Sequence, residues 1–344
     1  FGIFLQIIGS RKTVPPKMFL IVPLGDLHIF FNLNSFILFS SGVIVAHLIP
    51  TPFFLIALAQ SIVILSDVLS LFFMYLFARG GRYRYSILAG VFIGLGLATK
   101  VSQAPILFAY AIAHILFVVN GVGTVKPHIS ALERTRISLC GIGGGVVAVL
   151  VVLLTLQPYM FLDWSHFYSD VVEQSEMARR IRDYPYTRQY IDTPAYWYQV
   201  RQLATWGLGW PMGIVAWAGL IYSAFRATTV RFGLAYLAFG WVVPMLLLLL
   251  STNILVVLGS ALIGFIATVV MIPLKRRQAR SDLLLLAWVL PYLLIIGALE
   301  VKFLRYLIPV TPILFIFGAK LVVEVWEKLS NNWPKTRPVA IAVG

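Results

Sequence analysis

Two ionisable side chains interrupt long apolar runs and a third sits in a short charged turn, and these are the residues best placed to do chemistry. Asp67 closes the stretch Gln60-Ser61-Ile62-Val63-Ile64-Leu65-Ser66-Asp67, directly before the apolar run Val68 to Phe77. Lys100 ends the block Gly90 to Ala98 and is the one charge between Arg84 and Lys126. Arg305 sits in Glu300-Val301-Lys302-Phe303-Leu304-Arg305-Tyr306, where three charges share a short turn and call for an anionic partner. The first two have plain alternatives. A carboxylate at a helix start is served by the helix dipole alone, and a lysine at the end of an apolar block snorkels to the interface. A fourth region, Pro158 to Trp206, is the one long polar segment. It holds six of the thirteen acidic residues and an aromatic stretch from Tyr184 to Trp206. Tyr and Trp collect at membrane interfaces whatever a protein does. They also stack on sugar faces, while Arg188 and Arg201 carry the fork geometry that grips phosphate oxygens.

The elements that position these residues are apolar helices. Sixty per cent of the 344 residues are hydrophobic, 12% are charged, and the mean hydropathy is +0.90. A soluble domain of this size needs about 25% charged residues to dress its surface. Blocks such as Ile137 to Leu156, Phe232 to Leu250 and Ile254 to Leu274 approach the ~20 residues that a helix needs to cross a bilayer core. The expected fold is therefore all-α, a polytopic transmembrane bundle of about nine to eleven helices forming a single domain over residues 1–344. Basic clusters at Arg11 to Lys17, Arg79 to Arg84, Lys126 to Arg136, Arg226 to Arg231, Lys275 to Arg280 and Lys320 to Arg337 fall at every second gap. The positive-inside rule assigns those gaps to the cytoplasm. Asp67, Lys100, the 158–206 segment and Glu300 to Arg305 then face outward at the cell membrane. Within 158–206, acids at Asp170, Glu173 and Glu176 precede bases at Arg179, Arg180 and Arg182, the order that suits an interfacial amphipathic helix. Phe1 and the apolar ending Val339 to Gly344 are expected to belong to a longer protein.

Other classes are excluded by pattern. The net charge of +14 is punctuation between apolar blocks rather than a basic face, so no nucleic-acid partner is expected. Cys140, the single cysteine, reads as a small buried residue and excludes a disulfide framework. His28, His47, His114, His128 and His166 share no metal-ligand spacing.

The motifs carry a resemblance. Gln60-Ser61-x-x-Ile64-Leu65-x-Asp67 resembles the Gln-Ser-Arg-x-Ile-Leu-Leu-Asp segment of protein O-mannosyltransferases, with Ile62 where that segment has Arg. Gly90-x-x-x-Gly94-Leu95-x-x-x-x-Lys100 is similar to the glycine-spaced helix ending in Lys of the same superfamily. Lys302-Phe303-x-Arg305-Tyr306-x-x-Pro309 and the loop Asp183 to Tyr190 resemble bacterial lipid-carrier-dependent glycosyltransferases of the aminoarabinose-transferase type. Together they resemble the GT-C superfamily over roughly residues 50–210 and 282–325. The resemblance implies a polyprenyl-phosphate sugar donor, an acceptor met at the outer face, and transfer with inversion. It implies Lys100, Lys302, Arg305 and Arg188 as donor-phosphate ligands, and Gln60, Tyr186, Tyr190 and Tyr306 as substrate contacts. Asp67 faces the catalytic cavity in this reading, holding either a divalent cation (Mg or Mn) or polar groups of the donor. Family members place an acidic base in a first outward loop. Asp26 is the one acidic residue among the first sixty, so Asp26 stands in for the base, or the loop precedes Phe1 or has been lost. Two readings from other classes remain: a non-catalytic subunit that keeps the scaffold, and a transporter or flippase, which predicts ionisable residues deep in several spans.

Overall fold

A computed structural model describes residues 51–120, 129–226, 235–251, 253–271 and 279–332. Asp26 and the rest of the first fifty residues lie outside this set. Residues 60–324 form one compact unit, and residues 1–59 with 325–344 make up a second. The candidate site residues of the described set all belong to the first.

Among the described residues every regular element is helical. Four helical stretches are long and apolar enough to cross a membrane: Ala57–Gly80, Val101–Val119, Ala131–Leu156 and Ile308–Ser330. These mark the chain as a membrane protein. Shorter apolar helices run over Tyr83–Thr99, Ala235–Leu250, Leu255–Val270 and Asp282–Ala298. The first four α-helices are α1 (Thr51–Gly80), α2 (Tyr83–Thr99), α3 (Ile106–Asn120) and α4 (Ala131–Leu156).

Glycine sets how closely α2 and α4 approach. A Cβ placed on Gly90 would meet the carbonyl oxygen of Gly145 at 2.3 Å, and one on Gly94 would meet the Val152 side chain at 2.9 Å. Small residues at this spacing let helix backbones touch where lipid gives no hydrophobic drive. The same crossing encloses a polar knot. Ser86 donates its hydroxyl to the Gly141 carbonyl at 2.8 Å and lies 2.6 Å from the Tyr110 hydroxyl and 3.1 Å from His114 Nε2. His114 Nδ1 is 2.9 Å from the Ser138 hydroxyl. With the Ser86 proton committed to Gly141, the network assigns the proton of His114 to Nε2 and makes Nδ1 the acceptor from Ser138.

The opposite face of α4 is apolar and exposed, with Leu139, Val146, Val147, Leu150, Val151 and Leu154 on it. Cys140 is also exposed, which corrects the expectation that it is buried. In lipid the outward face of a helix is as apolar as the inward one. Membership of an apolar block therefore does not place a residue inside.

Three further α-helices follow in the 158–206 segment: α5 (Tyr159–Leu162), α6 (Trp164–Ala178) and α7 (Trp197–Gln202). After α8 (Trp210–Arg226), α9 (Val243–Leu250) and α10 (Ile254–Met271) comes α11 (Ala279–Ala298), then α12 (Thr311–Asn332). From Leu283 onward α11 is apolar and buried on nearly every side, as Leu283, Leu286, Trp288, Val289, Leu290 and Tyr292 show. Such a helix belongs at the centre of a bundle. The 158–206 segment docks on its end. Tyr196 donates its backbone N–H to Gly297 and its hydroxyl to Leu294, each at 3.0 Å. The Gln199 amide donates to the carbonyls of Ile296 and Gly297. These bonds satisfy carbonyls that a helix end leaves without partners. Tyr196 adopts φ 59° to make them, a left-handed strain held by the fit of its ring against Gly297.

Candidate functional site

Asp67 lies within α1 and not at a helix start, because the helix begins at Thr51 and runs unbroken to Gly80. It therefore caps nothing. Its polar neighbours satisfy themselves along the same helix: Ser66 donates to the Ile62 carbonyl at 2.7 Å and Ser70 to that of Asp67 at 2.9 Å. This leaves a carboxylate with 1% exposure in an apolar helix, which requires donors from elsewhere. One comes from Gln103, itself fully buried in the 3₁₀ turn Val101–Gln103. Oriented to donate, its amide nitrogen is 3.0 and 3.3 Å from the two Asp67 oxygens.

Lys100, three residues earlier, caps the end of α2 through its backbone N–H to Gly96 at 2.8 Å. Its ammonium is close enough to Asp67 and Arg305 for both to act on its charge. Burial and Arg305 together push it down to about 8, with Asp67 opposing them. Lys100 Nζ is buried and has no hydrogen-bond partner among the described residues. It lies 4.9 Å from the centre of the Tyr306 ring. The Arg305 guanidinium stands 5.8 Å from the same ring and 4.4 Å from that of Phe303. Two cations thus share one aromatic ring. Ring quadrupoles hold them where a carboxylate would ordinarily be expected.

The remaining predicted residues divide into four groups. Tyr186 and Tyr190 join the cluster through Phe303, at ring separations of 6.4 and 5.5 Å. Both come from the 3₁₀ turn Pro185–Tyr190, with Tyr186 exposed and Tyr190 buried. Lys302 does not join Lys100 and Arg305. It is buried, donates to the Glu300 carbonyl at 3.0 Å, and has its charge lowered by burial and by Arg180 beside it. Its loop is tied to the end of α6 by the Val301 N–H to Ala178 bond of 3.0 Å. Arg188 is exposed and already paired, with two nitrogens 2.7 and 2.9 Å from one Asp183 oxygen. Gln60 stands seven residues before Asp67, on the same face of α1, with a buried side-chain oxygen that lacks a partner among the described residues.

Sequence reasoning assigned no role to Gln103, Tyr292 or Phe303. Tyr292 is fully buried, stacks on Trp288 at 5.2 Å and donates its hydroxyl to the Tyr306 carbonyl at 2.7 Å. Phe303 is the hub on which Tyr186, Tyr190, Tyr306 and Arg305 meet. Its signal was present in the sequence, since it stands between the two cations of the 302–305 turn.

These residues do not make a divalent-cation site. Asp67 is the sole carboxylate acting on the Lys100 charge among the described residues. Both its oxygens accept from Gln103, and the nearest charged groups are cations. A divalent ion there would have to displace an ammonium. No group of three or more His, Cys, Asp or Glu stands together among the described residues. A surface groove of about 360 Å³ at the end of α4 is lined by other residues, among them Gln157, Asp163, His166 and Asp170. Its Asp163–His166 contact of 2.9 Å accompanies the N-cap of α6.

What the buried cluster can do follows from its charges. It offers a cation without a hydrogen-bond partner among the described residues, a second cation held against rings, a fixed carboxylate and a wall of tyrosines. Such a set has the charges and donors to suit an anionic ligand. Neither a family model, a curated protein nor a solved structure matches the chain.

Proposed function

We propose that this protein is a polytopic membrane glycosyltransferase of the GT-C type. In this reading it moves a sugar from a polyprenyl-phosphate donor to an acceptor at the extracytoplasmic face. The observation that carries the reading is the meeting of Lys100 and Arg305 around the Tyr306 ring, with Asp67, 238 residues before Arg305, acting on the Lys100 charge. A lipid-carried donor requires a site among membrane helices, and an anionic leaving group requires cations poised in a low-dielectric setting.

In the reaction the acceptor hydroxyl attacks the anomeric carbon from the face opposite the phosphate. The new glycosidic bond forms as the bond from that carbon to the phosphate oxygen breaks. Polyprenyl phosphate leaves with the electron pair, and the hydroxyl proton passes to a carboxylate base. Lys100 and Arg305 neutralise the departing phosphate. Tyr186, Tyr190 and Tyr306 offer faces for the sugar, and Asp67 accepts from its hydroxyls. Asp26 is the candidate base. The cations of the 158–206 and 299–306 segments fall outside the basic gaps that the positive-inside rule assigns to the cytoplasm, which supports the outward facing of the site.

The test is radiolabelled transfer from polyprenyl-phosphate sugars in reconstituted membranes, beside Asp67→Asn and Arg305→Ala. A loss of about a hundredfold or more in both, with folding retained, is the expected outcome. Undiminished transfer in either variant removes that residue from the site. Donor binding without transfer by the folded protein favours the non-catalytic scaffold reading.

A further inference from the structure

Transfer as proposed employs Asp67, Lys100, Arg305 and Tyr306 but leaves two fully buried polar residues without a role. Gln103 and Tyr292 come from different elements, the turn after Lys100 and the centre of α11. Neither reaches a surface. Gln103 gives its amide protons to both oxygens of Asp67. Tyr292 gives its hydroxyl proton to the backbone of Tyr306, and its phenol contacts the Gln103 side chain. Two neighbouring anchors in one buried string of side chains therefore act here, Gln103 on the Asp67 carboxylate and Tyr292 on the main chain of the residue whose ring carries both cations. Trp288, stacked flat on Tyr292 with 17° between the planes, fixes the phenol from below.

We infer that Gln103 and Tyr292 are positioning residues, which set the Asp67 carboxylate and the Lys100–Tyr306–Arg305 stack in register with one another. The inference rests on the glycosyltransferase reading. Its physical basis is that a lone buried carboxylate next to an ammonium has a simpler option, which is to swing onto Lys100 and close an ion pair. Lys100 Nζ makes no hydrogen bond to it. The Gln103 amide holds both carboxylate oxygens away from that pairing, so the ammonium stays available to an incoming phosphate and Asp67 keeps lone pairs for sugar hydroxyls. Tyr292 performs the same service for the loop. The Tyr306 ring stays between the two cations because its carbonyl is anchored to a helix buried on nearly every side. Reactions of this kind lose about a hundredfold in rate for misplacements near 1 Å, so the string acts on rate more than on donor affinity.

The charged and titratable groups that face the Asp67–Gln103 pair are Lys100 from the end of α2, Tyr292 from α11, and Arg305 with Tyr306 from the loop before α12. Gln103→Leu removes the donor. Gln103→Glu replaces it conditionally. Two carboxyls in contact share one proton at acid pH, and the shared proton reproduces the bond to Asp67. When it is lost, two like charges repel.

The experiment compares wild type, Gln103→Leu, Gln103→Glu and Tyr292→Phe in the reconstituted transfer assay, with thermal unfolding to normalise for folded protein. Infrared spectra of protein carrying ¹³C-carboxyl aspartate are recorded alongside, the Asp67 band being assigned by its disappearance in Asp67→Asn. Gln103→Leu should lose about a hundredfold in kcat with donor KM within about threefold, and Tyr292→Phe about tenfold. Gln103→Glu should recover transfer at acid pH and lose it as the pH rises across a range where wild type is flat. The Asp67 carboxylate band should shift in Gln103→Leu. An unshifted band overturns the proposal, as does a Gln103→Glu profile that follows wild type once scaled by folded fraction. If wild type transfers no sugar from any donor, the glycosyltransferase reading falls, and the infrared band still decides whether Gln103 sets Asp67.

Discussion

Two of the buried polar clusters among the described residues meet on α2, and they are finished differently. At the crossing of α2, α3 and α4, Ser86, Tyr110, His114, Ser138 and the Gly141 carbonyl bond to one another. At the end of α2, Asp67 and Gln103 are satisfied. Lys100 Nζ is buried there with no hydrogen bond among the described residues, and Arg305 faces rings instead of a carboxylate. A closed network holds helices together. An open one of like charge has a cost that a structural role does not explain, since an uncompensated buried charge is strongly unfavourable. In the proposed reading, the second cluster is the place where a ligand completes the protein.

The comparison breaks most visibly if cations are removed from the open cluster. Lys100→Met together with Arg305→Ala should lower transfer by about a thousandfold or more, read as kcat/KM per folded protein. Its thermal unfolding should not fall, because a buried charge of low compensation is being deleted. A next test uses pH. In the proposed site the charged form of Lys100 binds phosphate, and burial and Arg305 push its ammonium down to about 8 from the usual 10.5. Below about 8 donor affinity is complete. Above it, affinity falls by up to about tenfold per pH unit, and Lys100→Arg should abolish this alkaline limb. Stability moves the other way over the same window. Between about 8 and 10.5 the unfolded chain binds more protons than the folded one, so the fold gains stability as pH rises.

The closed cluster should respond in the opposite sense. Ser86→Ala leaves Tyr110 and His114 short of a partner and should destabilise the fold by about 1–3 kcal/mol, with transfer per folded molecule unchanged. Arg188→Ala sharpens the boundary of the open cluster. Its guanidinium is exposed and engaged by Asp183, so transfer should stay within about threefold of wild type.

How far the sequence discloses this difference depends on the residue. Lys100 and Arg305 stand out because charge is rare in apolar blocks, and one isolated charge in some forty residues needs no structure to be noticed. Asp67 also stands out, but its setting does not. Ser66 and Asp67 read as a break between helices, whereas serines that bond back to carbonyls three or four residues earlier leave the helix intact. Gln103 and Tyr292 could not be found this way. Their roles come from contacts linking residues 67, 103, 292 and 306, which no local period records. Lys302 shares a motif with Arg305 yet packs beside Arg180, while Arg305 lies on the 3₁₀ turn Leu304–Tyr306. The apolar helices themselves were legible from composition alone, though not which face of each looks inward, as Cys140 shows.

The most direct test of an open phosphate site is equilibrium binding of polyprenyl phosphate to the purified protein in nanodiscs, measured for wild type, Lys100→Met with Arg305→Ala, and Ser86→Ala. Saturable binding is expected for wild type, with unchanged binding by folded Ser86→Ala and affinity lower by about a hundredfold or more in the cation double variant. Equal affinity in wild type and the double variant would contradict the assignment, and the buried cations would then need an explanation other than a phosphate ligand.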